Sequence, residues 1–188
     1  MTARLPHSAA LLVIDVQHAI DHPSWGERNN PQAEGNIAAL LAAWRASGRP
    51  IYHVRHDSTE AESHYRPGQP GHEFKQEAMP LVGETVVGKR TNSAFIGTDL
   101  EWRLRSGGQT VLVVAGVITN NSVEATVRMA GNLGFKTLVV EDACFTFGRK
   151  DWAGVWRTAG EVHAMSLANL GGEYATVVGT AEVLGMLG

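Results

Sequence analysis

"QTVLVVAGVITNNSVEATVRMAGNLGFKTLVVEDA", residues 109–143, decides the fold. Its two ends are short runs rich in Val and Leu with no polar alternation, as in strands covered on both faces. Between them a polar turn opens a helical stretch at Ser122, and Gly134 stands at the position after a helix that favours a left-handed residue. Strand, helix and strand in so short a span make a βαβ unit, which lays the two strands parallel in one sheet.

The alternation continues outward. "AALLVIDV" (9–16), "RPIYHVRH" (49–56), "ETVVGKR" (84–90) and "EYATVVGT" (173–180) complete a set of six strand-like runs. Helical spacing recurs over 31–47, where Ile37, Leu40, Leu41 and Trp44 fall three to four apart, and again over 97–106, 122–133 and 158–170. Gly48 and Gly107 follow two of these at the same terminal position as Gly134. The expected architecture is α/β, a mainly parallel sheet with helices on both faces. No internal repeat or linker divides the chain, so residues 1–188 read as a single domain.

Composition narrows the function. The 16 Lys and Arg are scattered against 19 Asp and Glu, for a net charge of −3, so no basic stripe suggests nucleic acid or an anionic membrane. A small-molecule substrate is the expected partner. The apolar run before Asp15 is too short for a secretory leader or a membrane span, which points to a cytoplasmic protein. One cysteine, Cys144, excludes an intrachain disulfide and Cys-based zinc sites. No Gly-rich phosphate loop follows the first strand, which continues "DVQHAI", so no organic cofactor is implied.

In parallel sheets the ligand lies beyond the carboxyl ends of the strands. Asp15 closes the first run, Lys89 the third, and Ser122 opens the helix after the fourth. A carboxylate within an apolar run has a raised proton affinity unless a cation sits nearby, and Lys89 is the candidate cation. The long irregular segment 57–83, with Pro67, Gly68, Pro70 and Gly71, reads as either a lid over a site or a floppy surface loop, with the lid the leading reading. Specificity is expected from it and from the loops at 21–30 and 145–157.

"LLVIDVQ" (11–17), "VVGKRTNSAFIGTDLEWRLRSGG" (86–108) and "VAGVITNNSVEATVRMAGNLGFKTLVVEDAC" (114–144) together resemble the isochorismatase-like cysteine hydrolase superfamily. That superfamily includes nicotinamidases, N-carbamoylsarcosine amidases and isochorismatases. "HAMSLANLGGEYATVV" (163–178) resembles its last helix and strand. The resemblance implies a three-layer α/β/α sandwich around a six-stranded sheet. It puts the general acid/base on Asp15, its electrostatic partner on Lys89 and the nucleophile position on Ser122. It also implies a cis non-proline peptide joining Val117 and Ile118 at the oxyanion site, and assembly as a homo-oligomer (dimer, tetramer or larger).

Ser122 departs from the family's cysteine. A thiol can be drawn down to a thiolate by a helix start and a lysine; a hydroxyl needs a base in the transition state. No His belongs to the three matched blocks, although His163 or His72 could approach from elsewhere. Three readings stay open: an engineered Cys→Ser change, a natural branch without the thiol, or a serine nucleophile or lost activity. As an ordinary helix cap, Ser122 suits all three.

Around these residues, Gln17, Trp25, His56, Phe95 and Trp152 are candidate substrate contacts, with a core role as the alternative for Phe95. Trp152 and Trp156 also suit an oligomer contact. Nicotinamidases carry an Asp-x-His…His metal site after the second strand. "HVRHDSTEAESH" (53–64) offers His53, His56, Asp57 and His64 without that order, so no metal site is expected. Cys144, with no adjoining cation, reads as a buried apolar residue, and Glu141 and Asp142 as sheet-end or capping residues. The leading reading is hydrolysis of a carbon–nitrogen bond in a small amide or ureide. The alternatives are a thiol-free hydrolase that protonates a vinyl ether from Asp15, with Arg55 or Arg90 holding substrate carboxylates, and a silent binding module.

Overall fold

The computed structural model of the chain describes residues 4–188. Six strands form one sheet: β1 (Ala10–Ile14), β2 (Ile51–His56), β3 (Thr85–Lys89), β4 (Val111–Val117), β5 (Lys136–Phe145) and, after a small hairpin of β6 (Arg149–Lys150) and β7 (Trp156–Arg157), β8 (Thr176–Val178). Their order across the sheet is β3-β2-β1-β4-β5-β8, and every pairing is parallel. The helices are α1 (Ala33–Ala46), α2 (Leu100–Ser106), α3 (Glu124–Asn132), α4 (Ala159–Leu170) and α5 (Thr180–Gly185).

Along β1, Leu11 and Val13 face α1 and α5, while Ala10, Leu12 and Ile14 face the layer of α2, α3 and α4. Both faces are covered, which is why the runs are apolar without alternation. On the first face Leu40, Leu41 and Trp44 are fully buried, and the Trp44 indole donates to Ala9 O at 3.0 Å. On the second, Leu100, Leu104, Val127 and Leu170 pack on Leu12, Ile14 and Val114. The chain is thus the expected α/β/α sandwich around a six-stranded parallel sheet.

Two local expectations change. Gly107 has φ −84°, and the left-handed residue after α2 is Gly108 at φ 70°. Ser122 does not begin a helix: it lies inside a π-helical turn, Thr119–Val123, and α3 starts at Glu124. In that wide turn Val123 N bonds back to Ile118 O at 3.4 Å, and no cap bond comes from the Ser122 side chain.

The strand order reverses between β1 and β4, and a crevice opens at their carboxyl ends there. Gly116 lets the two backbones close below it: at φ 124° an added Cβ would collide with Ile14 O and sit 2.6 Å from Ile14 N. Segment 57–83 folds back over the crevice through short turns, held by Lys75 N donating to Val16 O and His18 N to Glu73 O. Among the described residues no helix is long and apolar enough to cross a membrane.

Candidate active site

Three side chains from separate strands meet in the crevice. Asp15 follows β1 in a left-handed conformation, φ 55°, which few non-glycine residues adopt. Lys89 ends β3, two strands away, and its side chain is fully buried as it crosses toward β1. Ser122 comes from the π turn after β4. The Lys89 ammonium donates to Asp15 Oδ2 at 2.7 Å, Ser122 Oγ at 3.2 Å and Thr91 O at 3.0 Å.

Burial sets the electrostatics. It raises the Asp15 pKa above the ordinary carboxylate value, with Lys89 opposing the shift. Asp15 Oδ1 has no hydrogen-bond partner, although its surroundings exclude water. An acceptor left open beside a filled one suits a carboxyl that takes and returns a proton.

His56 lies 3.3 Å from the Lys89 ammonium through Nδ1. Burial, and then Lys89, lower its pKa, so the ring is neutral near pH 7. Because the ammonium can only donate, Nδ1 accepts and the ring proton belongs on Nε2.

Asp15, His56 and Ser122 line a cavity of about 180 Å³ together with Trp25, Tyr65, Val117 and Ile118. The Val117–Ile118 peptide is cis. Tyr65 descends from the 57–83 segment; its ring meets His56 edge-on at 5.6 Å and its hydroxyl donates to Asp15 O at 3.4 Å. Burial, with Asp15 and Asp21 adding to it, pushes the phenol pKa well up, so it stays protonated. No motif marks Tyr65, Glu60, Ser63 or Asn92, which also reach the cavity; the length of segment 57–83 was the available signal for the first three.

Three of the expected contacts lie off the cavity wall. Gln17 is fully buried and does not line the cavity. Its amide clamps the surrounding backbone, accepting from His56 N at 2.8 Å and donating to His56 O at 3.2 Å and His72 O at 2.8 Å. Phe95 belongs to the core, stacked on Phe135 with centroids 5.8 Å apart. Trp152 stands fully exposed on the β6–β7 hairpin beside a separate groove against α4, because that hairpin turns away from the crevice. Trp25 and His56 do line the cavity.

The remaining candidates are engaged elsewhere. His163 accepts or donates with Thr119 Oγ1 at 2.8 Å, and His72 bonds Asp57 at 2.7 Å; neither contacts Ser122. His53 pairs with Glu84 and His64 stacks on His22. Among the described residues no three His, Cys, Asp or Glu side chains gather as metal ligands. Burial pushes the Cys144 thiol up to about 12. Asp142 caps α5, accepting from Thr180 N and Oγ1.

Comparisons with known proteins identify the family and the fold. The family model described as the isochorismatase domain matches residues 9–182. The chain is 39% identical over 175 residues to the isochorismatase family protein YrdC of Bacillus subtilis, covering 93% of this chain and 94% of that one. It is 32% identical over 138 residues to a streptothricin hydrolase of Streptomyces noursei, covering 73% of this chain and 50% of that protein. A crystal structure described as a hydrolase of the isochorismatase family from Chromobacterium violaceum superimposes with a TM-score of 0.96. Its sequence is 62% identical, and the match covers 100% of this chain and 98% of that one.

Proposed function

We propose, for a chain that belongs to the isochorismatase family of hydrolases, that the crevice cleaves a carbon–nitrogen bond of a small amide or ureide. The observation that carries this reading is that the single buried ammonium of Lys89 donates to both Asp15 and Ser122, which line a small cavity. The volume is below the several hundred Å³ typical of drug-sized ligands, which favours a compact substrate.

In this reading the substrate carbonyl lies over Ser122 with its oxygen toward the backbone at Ile118 and Ser122. Ser122 Oγ attacks the carbonyl carbon as Asp15 Oδ1 takes its proton. The tetrahedral centre collapses, the C–N bond breaks, and Asp15 returns the proton to the leaving nitrogen. Water then attacks the acyl-enzyme as Asp15 takes its proton, the bond from the acyl carbon to Ser122 Oγ breaks, and Asp15 returns the proton to Oγ as the acid leaves. Lys89 keeps the charge of the site balanced throughout. A serine is a weaker nucleophile here than a thiol, which the helix start and Lys89 would ionise, so Ser122→Cys is expected to raise turnover.

A second reading has its own observation. An Asp15 carboxyl whose burial raises its proton affinity, with an open Oδ1, suits direct protonation of a vinyl ether, with no covalent step. Its two-carboxylate substrate lacks a match: no Arg lines the cavity, Arg55 pairs with Asp57, and Arg90 is exposed.

Ammonia release from a panel of amides and ureides separates the readings. The proteins compared are the chain as given, Ser122→Cys, and Ser122→Cys with Asp15→Asn. Turnover raised by the thiol and abolished with Asp15→Asn supports the amidohydrolase. Ligand binding without cleavage by any form supports a silent binding module, and the amidohydrolase reading then fails.

A further inference from the structure

The wall of the cavity carries charge that the hydrolytic groups do not use. Glu60 reaches it from the solvent side, while Asp15 and Ser122 are buried. Nearby acids are matched, Asp57 by Arg55 and His72 and Asp15 by Lys89. Glu60 takes part in no ion pair among the described residues; its backbone N–H, donating to Ser58 Oγ at 3.2 Å, fixes the turn it stands on.

The other wall groups add no positive charge. No Arg or Lys lines the cavity, and the Lys89 ammonium shares its donors among Asp15, Ser122, Thr91 O and His56 Nδ1. His56 is neutral. With Asp15 and Lys89 cancelling, the opening carries one net negative charge.

Two aromatic side chains, Trp25 and Tyr65, line the same cavity. Trp25 is held by its indole N–H donating to Ala19 O at 3.0 Å and by stacking on Phe147, centroids 5.4 Å apart. Tyr65 supplies a buried phenol on the same cavity. A carboxylate beside aromatic rings, with no competing cation, attracts alkylammonium or guanidinium groups.

We propose that the cavity selects substrates carrying a cationic nitrogen on the part remote from the scissile bond, held by Glu60 and Trp25 at the rim. This rests on the crevice being the substrate cavity of the proposed hydrolase. An ammonium there takes the place of water around Glu60, and a carboxylate at the same position meets repulsion.

Calorimetric binding to the full chain tests it with three probes: β-alaninamide, its neutral isostere butyramide, and succinamate. β-Alaninamide is expected to bind about tenfold more tightly than butyramide, from one rim ion pair and one cation–π contact, with succinamate weakest. Glu60→Gln is expected to bring the cation-to-neutral ratio down severalfold, and Glu60→Lys to move succinamate ahead of β-alaninamide. Equal affinities, the reverse order, no binding of the cation, or a ratio unchanged in Glu60→Gln overturns the proposal. Ammonia release is followed separately with Ser122→Cys. Charge selection without cleavage supports the anionic, cation-selecting rim and removes the amide chemistry; cleavage without charge selection does the opposite.

Discussion

The Lys89 ammonium lies 2.7 Å from Asp15 Oδ2 while Asp15 Oδ1 has no partner. One oxygen of the carboxyl is therefore fixed and the other is left for chemistry.

Removing the fixed side has a signed pH dependence. Asp15 has a folded pKa above the ordinary carboxylate value of 3.8, so its contribution to stability is full below that value and is lost as pH rises through the folded pKa. Lys89→Met raises the folded pKa further, and its stability deficit grows with pH above 3.8. Urea unfolding is expected to show a deficit of about 3 kcal/mol at neutral pH, shrinking in acid. A deficit independent of pH would mean that Lys89 supports packing alone.

The nucleophile position is expected to show itself in alkylation. Cys144 is buried with its thiol pushed up to about 12, so the folded chain resists iodoacetamide at neutral pH. Ser122→Cys places a thiol on the cavity beside Lys89 and is expected to take up one label, read by mass spectrometry. Equal labelling of both proteins would show that Lys89 does not activate this position.

Gln17 acts on the site by holding its neighbours. Gln17→Leu leaves His56 N, His56 O and His72 O without their side-chain partner and is expected to cost about 1–3 kcal/mol. If the clamp positions His56, KM rises more than kcat falls, and Gln17→Glu restores part of the binding through its acceptor oxygen. A stability loss with unchanged kinetics would assign Gln17 to folding alone.

Gly116→Ala is expected to separate β1 from β4 below the crevice. The new Cβ meets the Ile14 backbone, which cannot move aside as a side chain would, and φ 124° is unfavourable for alanine. A loss of about 2 kcal/mol or more follows, seen as a lower Tm together with loss of activity. A fully stable variant would contradict the close approach.

Much of this was legible in the residues. Six apolar runs become six strands because burial on both faces writes a pattern that needs no partner to be read. Asp15, Lys89 and Ser122 were visible because each interrupts or ends such a run with a polar group. Trp152, Phe95 and Gln17 were harder: an aromatic or amide near a site in sequence points inward or outward according to a hairpin twist or a backbone clamp, neither of which has periodicity. Glu60 and Tyr65 lie in segment 57–83, whose turns follow from long-range bonds such as Lys75 N to Val16 O. The π turn at Thr119–Val123 displaced the expected helix start because its hydrogen bonds, not its composition, define it.

Strand order gives the site one more property. Lys89 belongs to the sheet's outermost strand on that side, joined to the rest through β2 alone, whereas Asp15 and Ser122 adjoin central strands. Fraying of β3 would withdraw the cation while the fold's centre stayed intact. The acid therefore has its counter-charge only where the margin of the sheet is in place, so the Asp15–Lys89 pair depends on the completed edge and not on the core alone.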